Sequence, residues 1–193
     1  MCRALNVPCT VKSPVLLITV NVIEVMKAVK LSARLRAISE FIDDGASVAD
    51  IGTDHGLLPV YLAQTGLAGR IFASDISAAS LDAAYRSASE YNVTDLITFI
   101  AAPGLDGISP AEVDTIIIAG LGGETILSML TNASWTKDNG IKLILQPQSK
   151  VDLLCRFLYD HGYSILETKS VIDRSKKYTI IHAMGGYLEN EKR

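Results

Sequence analysis

Apolar and polar positions follow two alternating patterns from Leu31 onwards. Short apolar runs rich in Val and Ile are followed by longer segments in which apolar residues recur every three or four positions. The first pattern is typical of buried strands and the second of amphipathic helices. Strands are predicted at 47–51, 70–74, 96–101, 115–119, 142–145, 163–172 and 177–183, and helices at 31–42, 57–64, 77–91, 124–130 and 151–161.

The order of these elements predicts the fold. Repeated strand–helix units favour a parallel sheet with helices on both faces. The last two predicted strands are separated only by Asp173-Arg174-Ser175-Lys176, which indicates an antiparallel hairpin. We therefore expect an α/β protein with a doubly wound, Rossmann-like, mostly parallel seven-stranded sheet that ends in an antiparallel hairpin.

One domain is predicted between two terminal segments. Residues 1–30 lack the pattern of the rest, and their apolar stretch at 15–29 is too short and too polar for a membrane span. One interpretation is a secretory signal, although no cleavage site follows. The interpretation we favour is that the natural start is Met26 and that the residues before it are an upstream extension. The domain is expected at 31–186, followed by a charged tail at 187–193.

Composition narrows the class of protein. Of the 193 residues, 49% are hydrophobic and 20% are charged, which excludes a disordered or collagen-like chain. Aromatic residues make up only 6%, so a single-strand binder that relies on base stacking is disfavoured. Cys2, Cys9 and Cys155 cannot form a fully paired disulfide framework or a cysteine-based zinc cluster. We therefore expect a cytoplasmic protein without a metal site.

Charge is distributed unevenly along the chain. Residues 31–136 contain 4 Lys and Arg against 13 Asp and Glu, whereas residues 137–177 contain 8 against 5. A polyanion is expected to bind the later part, and a neutral or cationic ligand the earlier part. The alternative is that both clusters are solvated faces.

The sharpest local signal is the string Asp50-Ile51-Gly52-Thr53-Asp54-His55-Gly56 at the end of the first predicted strand. Open α/β sheets bind ligands at the carboxyl ends of their strands. Gly52 permits a tight turn that a ligand can approach, and the free N–H groups of the following helix favour a carboxylate. Asp75 ends the second predicted strand, where an acid can accept hydrogen bonds from both hydroxyls of a ribose. Together these features predict a nucleoside cofactor.

Asp54 discriminates between nucleoside cofactors. NAD-binding loops have a glycine at this position, and a carboxylate there would repel a pyrophosphate. A carboxylate suits the sulfonium and ammonium groups of S-adenosyl-L-methionine, and a terminal hairpin in a doubly wound sheet is the usual signature of methyltransferases that use it. The alternative for Asp54 is that it is the N-cap of the following helix. His55 is interpreted equally well as a structural residue and as a hydrogen-bond donor that orients the ligand.

Two further clusters follow later strands. The turn Gly120-Leu121-Gly122-Gly123 ends the fourth strand, where three glycines leave room for a flat base beside the cofactor. The alternative is a tight strand-to-helix turn. Gln146-Pro147-Gln148 ends the fifth strand, where two amides around a rigid proline could read a base edge.

Five strings occur in a fixed order along the chain. They are Leu31-Ser32-x-Arg34-Leu35, Ala49-Asp50-Ile51-Gly52-Thr53-Asp54-His55-Gly56-x-Leu58-Pro59, Asp114-Thr115-Ile116-Ile117-Ile118-Ala119-Gly120-x-Gly122-Gly123, Leu143-Ile144-Leu145-Gln146-Pro147 and Lys176-x-Tyr178. Together they resemble the bacterial tRNA (adenine-22, N1)-methyltransferase family. The resemblance implies methyl transfer from S-adenosyl-L-methionine to N1 of an adenosine in the D-arm region of tRNA, with tRNA as the partner.

These observations assign residues to two parts of a site. The predicted cofactor-binding residues are Asp50, Gly52, Thr53, Asp54, His55, Gly56, Asp75, Ile76, Gly104 and Ala119. The residues predicted to border the methyl-transfer position are Asp54, Gly120, Gly122, Gly123, Gln146 and Pro147. Asp54 is expected to help stabilise the cationic product. The oligomeric state is left open.

Two of the departures from the family pattern concern adenine binding and tRNA binding. The family usually has Gly-Asp/Asn-Gly after the third strand, whose polar residue can bind the adenine amino group, whereas this chain has Ala102-Pro103-Gly104. The contact with the adenine amino group is therefore either lost or made by another residue, for which Asp106 is the candidate. The helical C-terminal domain thought to grip tRNA is expected to be absent. The basic residues left as a partial substitute are Lys169, Arg174, Lys176 and Lys177.

Two rival functions therefore remain from the sequence. One is a divergent methyltransferase that acts on another substrate. The other is a catalytically weakened module that binds the cofactor or RNA without turnover. A dehydrogenase is a distant third, because Asp54 disfavours a dinucleotide.

Overall fold

The structure is a computed structural model that describes residues 27–138 and 140–186. Most of the predicted N-terminal extension and the whole charged tail lie outside the described residues. At the end of the extension, Gln64 Nε2 donates to the Lys27 carbonyl, and Gln64 Oε1 accepts from the Val29 N–H. Val29 is also buried. Packing onto the domain therefore begins shortly before the hydrophobic pattern does.

Seven strands and five α-helices are present in the described residues. The strands are β1 (Ala46–Ile51), β2 (Ala68–Asp75), β3 (Thr98–Ala101), β4 (Thr115–Leu121), β5 (Lys142–Pro147), β6 (Tyr163–Asp173) and β7 (Lys176–Gly185). The α-helices are α1 (Ala33–Ser39), α2 (Leu57–Thr65), α3 (Ala78–Glu90), α4 (Gly123–Asn132) and α5 (Val151–Asp160). Within this described part, no helix is long and apolar enough to cross a bilayer.

The strands form one sheet in the order β3-β2-β1-β4-β5-β7-β6. Neighbours from β3 to β5 run parallel, whereas β7 pairs antiparallel with both β5 and β6. The predicted parallel sheet with a terminal antiparallel hairpin is therefore confirmed. The chain builds outward from β1 to β3 and then crosses back to place β4 on the other side of β1. Open α/β sheets bind ligands at such a switch point.

Local signals explain where two of the helices begin. The side chains of Ser32 and Ser77 accept hydrogen bonds from the backbone N–H groups of Leu35 and Ser80. Each serine is an N-cap that satisfies an N–H group without a partner inside the helix.

Two of the boundaries that differ from the prediction have a local explanation. Helix α1 ends at Ser39, and the turn that follows still buries Ile42, so the apolar spacing continues beyond the helix. The third strand begins at Thr98, because Thr94–Leu96 forms a 3-10 turn in which Leu96 is 58% exposed. A short apolar run does not by itself distinguish a strand from the turn that leads into it.

The sheet separates two apolar cores. Ile116 and Ile118 of β4 face the core that Ile126 of α4 and Leu154 of α5 complete, whereas Ile117 faces the opposite core. All are fully buried. Continuous apolar strands of this kind are expected where helices cover both faces of a parallel sheet. The burial fixes the strand ends from which the site is built.

Candidate functional site

A cavity of about 680 Å³ opens at the carboxyl ends of β1, β2 and β4. Its wall is formed by the loops after these strands, the start of α1 and the turn between β6 and β7. It therefore lies at the switch point of the sheet, and its volume is in the range usual for small-molecule sites. We refer to it as the main cavity.

The loop after β1 adopts a backbone shape that favours glycine. Gly52 and Gly56 have φ angles of 73° and 66°, and Asp54 has a φ angle of 52°. The N–H groups of Gly52 and Thr53 donate to the Ser74 carbonyl on β2. Gly56 is the N-cap of α2, so the alternative that Asp54 caps this helix is wrong. The Asp54 side chain is instead 71% exposed at the cavity wall.

Asp75 joins this loop to the end of β2. Its Oδ1 accepts from the Ser77 N–H at 2.8 Å, and its Oδ2 accepts from the Asp54 N–H at 3.3 Å. A carboxylate has about four acceptor positions. Asp75 therefore keeps acceptor capacity for a ligand in the main cavity that it lines.

Asp50 is a buried carboxyl group at the end of β1. Burial raises the pKa of Asp50 to about 6, although hydrogen bonding by Thr53 and the charge of Arg34 oppose the shift. The negative charge of Asp75 raises this pKa further. Because Asp50 also lines the main cavity, a positive ligand group there would stabilise its charged form.

The glycine-rich turn after β4 serves both the cavity and the packing of α4. Gly120 has a φ angle of 81° and lines the main cavity, and a Cβ added there would lie 3.3 Å from Arg34 Nη1. Gly122 is the N-cap of α4, and a Cβ added at Gly123 would lie 2.7 Å from the Ser149 carbonyl oxygen. Gly123 therefore lets α4 approach the loop after β5.

The two amides at the end of β5 have different environments. Gln146 is fully buried, with Oε1 accepting from Arg34 Nη1 at 2.6 Å and Nε2 donating to the Pro147 carbonyl at 2.8 Å. Gln148 is exposed and lines the main cavity. Of the two, Gln146 holds Arg34 in place, and Gln148 offers its amide to a ligand.

Arg34 connects three elements of the site, although sequence reasoning did not place it there. Besides the bond to Gln146, its guanidinium lies over the Tyr178 ring, 5.5 Å from Cζ to the ring centroid. Its backbone N–H donates to Asp173 Oδ2 at 3.3 Å. The available signal was its presence, like that of Tyr178, in the strings that resemble the family. No local pattern at α1 indicates partners on β5 and β7.

A second cavity adjoins the main cavity beyond β2. Ile76 is 73% exposed and lines both the main cavity and this second cavity of about 600 Å³. Gly104 lines both cavities, whereas Pro103 and Asp106 line the second alone. Asp106, the candidate for the missing adenine contact, therefore lies on the far side of Gly104.

The structure brings most of the predicted site residues to one cavity. Those that line it are Asp50, Gly52, Thr53, Asp54, His55, Asp75, Ile76, Gly104, Ala119 and Gly120. Those that do not line it are Gly56, Gly122, Gly123, Gln146 and Pro147. In the described residues, no group of three or more His, Cys, Asp or Glu side chains is arranged to hold a metal ion.

Comparisons with known proteins decide the family. A family profile described as a methyltransferase domain matches residues 31–181. The chain is 31% identical over 161 residues to the tRNA (adenine(22)-N(1))-methyltransferase of Bacillus subtilis (strain 168), a match that covers 83% of this chain and 68% of that protein. The chain belongs to the tRNA (adenine(22)-N(1))-methyltransferase family.

Solved structures agree with this methyltransferase assignment. A Streptococcus pneumoniae protein in complex with S-adenosyl-L-methionine is 28% identical, with a TM-score of 0.77, over 83% of this chain and 75% of that one. M. capricolum TrmK in complex with S-adenosyl-homocysteine is 29% identical, with a TM-score of 0.71, over 83% of this chain and 73% of that one. The predicted family, fold class, methyltransferase class and cofactor are confirmed.

The residues of the main cavity fit this cofactor. Asp75 has acceptor capacity for the two ribose hydroxyls. Asp50 is a buried carboxyl group whose ionised form lacks full compensation in the cofactor-free protein, as its raised pKa indicates. The positive ammonium group of the cofactor would provide the charged partner that this buried carboxylate lacks.

Proposed function

We propose that this methyltransferase transfers a methyl group from S-adenosyl-L-methionine to N1 of the adenosine at position 22 of tRNA, and that the main cavity is its active site. The observation that carries the proposal is the convergence of Asp50, Asp54 and Asp75 on one cavity at the switch point of the sheet. Family membership supports the substrate. The chain spans 68% of the B. subtilis relative, so the activity of this chain is itself part of the proposal.

Three carboxylates have separate tasks on the cofactor side. Asp75 accepts hydrogen bonds from the ribose through the positions that the Asp54 and Ser77 N–H groups leave open. Asp50, buried at the base of the loop, receives the positive ammonium group. Asp54, exposed at the cavity wall, adds negative potential near the reacting centre. When bound, S-adenosyl-L-methionine supplies an electrophilic methyl group on a sulfonium.

The substrate side has no proton to remove. N1 of an unpaired adenine carries a free lone pair, so the residues there hold the base in line with the methyl group and stabilise the positive charge that the base acquires. Gly120 and Gln148 line the cavity at the ends of β4 and β5, away from Asp75 on β2. The base must first leave its stack, at a cost of about a few kcal/mol.

Labelled methyl transfer tests the proposal. The full chain is incubated with methyl-labelled S-adenosyl-L-methionine and an unmodified tRNA transcript with adenosine at position 22, and the digested nucleosides are separated. We expect label in 1-methyladenosine, and none with a matched transcript that has guanosine at this position. Label in another nucleoside would instead support a divergent methyltransferase. Cofactor binding without label in either transcript would support a weakened binding module.

A further inference from the structure

The turn between β6 and β7 lies at the edge of the main cavity. Strand β6 ends at Asp173, β7 begins at Lys176, and these two residues pair, so the connection is a two-residue loop. Asp173, Arg174 and Tyr178 line the main cavity. We refer to residues 173–177 as the hairpin tip.

The hairpin tip carries three positive charges and one negative charge. Arg174, Lys176 and Lys177 are exposed, and within the described residues none of them forms a salt bridge. The one carboxylate, Asp173, accepts hydrogen bonds from the Ser32 side chain and the Arg34 N–H at the start of α1, which hold its pKa below the usual range. The tip therefore presents an excess of positive charge to solvent.

The backbone of the hairpin tip is strained, and contacts with α1 hold it in this conformation. Arg174 and Ser175 have φ angles of 48° and 65°, the left-handed region in which residues with side chains cost free energy. Two-residue loops of this shape favour Asn-Gly. The contact between Asp173 and α1 and the Arg34 guanidinium over the Tyr178 ring fix the loop from both strands. Strain that persists in this way is common at functional sites.

The opposite side of the main cavity has the reverse charge. Asp54 is 71% exposed there, and Asp75 lies beside it. A phosphate backbone is repelled by this side and attracted by the hairpin tip, so a nucleotide entering the cavity has a preferred orientation. Arginine and lysine side chains are the usual phosphate partners in nucleic-acid binding.

We propose that the hairpin tip binds the phosphate backbone of the RNA whose base enters the main cavity, through Arg174, Lys176 and Lys177. This inference rests on the proposed function, because it concerns the substrate of the same site. It assigns RNA binding to this domain itself.

The salt dependence of RNA binding tests the proposal. The full chain with Arg174→Gln and Lys176→Gln is compared with wild type and with an Arg86→Gln, Arg156→Gln control, which removes two exposed charges on α3 and α5. The affinity for the unmodified tRNA transcript is measured by filter binding over a series of salt concentrations. We expect the tip variant to bind about 10–100-fold more weakly at 0.1 M salt and to reduce the slope of log affinity against log salt by about two. The control should match wild type.

A second variant keeps the strained loop unchanged. Lys176→Gln with Lys177→Gln leaves Arg174 and Ser175 in place and should also reduce the slope by about two. Calorimetric binding of S-adenosyl-homocysteine should be unchanged in this variant, because neither Lys176 nor Lys177 lines the main cavity, and this shows that the fold is intact.

Two outcomes separate this inference from the proposed function. Wild-type salt slopes in both tip variants would overturn the role of the tip, even if the wild type methylates tRNA. A tip-dependent slope in a chain that transfers no methyl group would support the role of the tip and overturn the proposed function. Absence of transcript binding by wild type would also overturn the role of the tip.

Discussion

The two sides of the main cavity differ in charge and in how the chain builds them. The acidic side consists of Asp50, Asp54 and Asp75, and the contact between the Asp54 N–H and Asp75 joins residues 21 positions apart. The basic side consists of Arg34 and the hairpin tip, and the contacts of Arg34 with Gln146 and Asp173 span 112 and 139 positions. The acidic side is therefore largely local in sequence, whereas the basic side exists only in the folded chain.

The comparison shows how charge is matched to two ligands of opposite sign. In the proposed function, a cationic cofactor and a polyanionic substrate meet in one cavity. Separation of the acidic and basic residues onto opposite sides gives each ligand one favourable side and one unfavourable side. Arg34 of the basic side couples the two sides, because its positive charge also lowers the pKa of Asp50.

The largest expected effect is on the free energy of unfolding and comes from Asp50 on the acidic side. Between pH 3.8 and about 6, the folded protein keeps a proton on Asp50 that the unfolded chain releases, so this group's contribution to stability is complete below pH 3.8 and lost as the pH rises through about 6. Asp50→Asn should therefore raise the free energy of unfolding of the cofactor-free protein by about 3 kcal/mol at pH 7.5, with little effect at pH 4. Urea unfolding at the two pH values measures this difference.

An exposed carboxyl group provides the control for that experiment. Asp95→Asn, in the 3-10 turn before β3, should change stability by less than about 0.5 kcal/mol at both pH values. If Asp50→Asn instead destabilises the protein at pH 7.5, burial of the ionised Asp50 carboxylate does not lower the stability of the folded protein.

The next effect separates the two sides by ligand. Asp75→Ala should weaken binding of S-adenosyl-homocysteine by about 1–3 kcal/mol, because the ribose hydroxyls lose their acceptor. Binding of the tRNA transcript should stay within twofold of wild type (about the scatter of the assay), since the basic side is intact. Calorimetry and filter binding measure the two affinities, with Asp95→Ala as the control. Equal losses for both ligands would contradict the separation of the two sides.

A smaller effect, on the pH dependence of cofactor binding, is expected from Arg34, which links the acidic and basic sides. Arg34→Gln removes the positive charge that lowers the pKa of Asp50, so this pKa should rise above about 6. Because the ionised carboxylate binds the ammonium group, the affinity for S-adenosyl-homocysteine should then begin to fall at a higher pH than in wild type. At pH 6.5 we expect binding about two- to fivefold weaker than wild type. Calorimetry across pH 5.5–8 measures the profile (about six points suffice). Arg36→Gln, an exposed arginine of the same helix, should leave the profile unchanged.

The smallest expected effect lies in the hairpin tip. Ser175→Gly should stabilise the protein by about 0.5–1 kcal/mol, because glycine adopts the positive φ angle of 65° without steric cost. The charges of the tip remain, so the salt slope of tRNA binding should not change. Ser170→Gly in β6 is the control and should destabilise. Urea unfolding that ranks the two variants the other way would show that the tip is not strained.

The acidic side was largely predictable from the sequence. The string at the end of β1 and Asp75 at the end of β2 have a fixed relation to the switch point, because parallel strands bring their carboxyl ends to one edge of the sheet. The glycines and amides were less predictable. Whether Gly123 faces a ligand or a neighbouring carbonyl, and whether Gln146 faces the cavity or Arg34, depends on packing between loops that no single string encodes.

The sequence alone determined the alternation of strands and helices, the parallel sheet with its terminal hairpin, and the two strand ends that carry Asp50 and Asp75. Periodicity and local turn chemistry suffice for these features, because they depend on neighbours in the chain. The tertiary structure decided that Arg34, Tyr178 and the hairpin tip close the other side of the main cavity. It also decided the pKa of Asp50, because burial and charge at a point in space depend on every segment that reaches it.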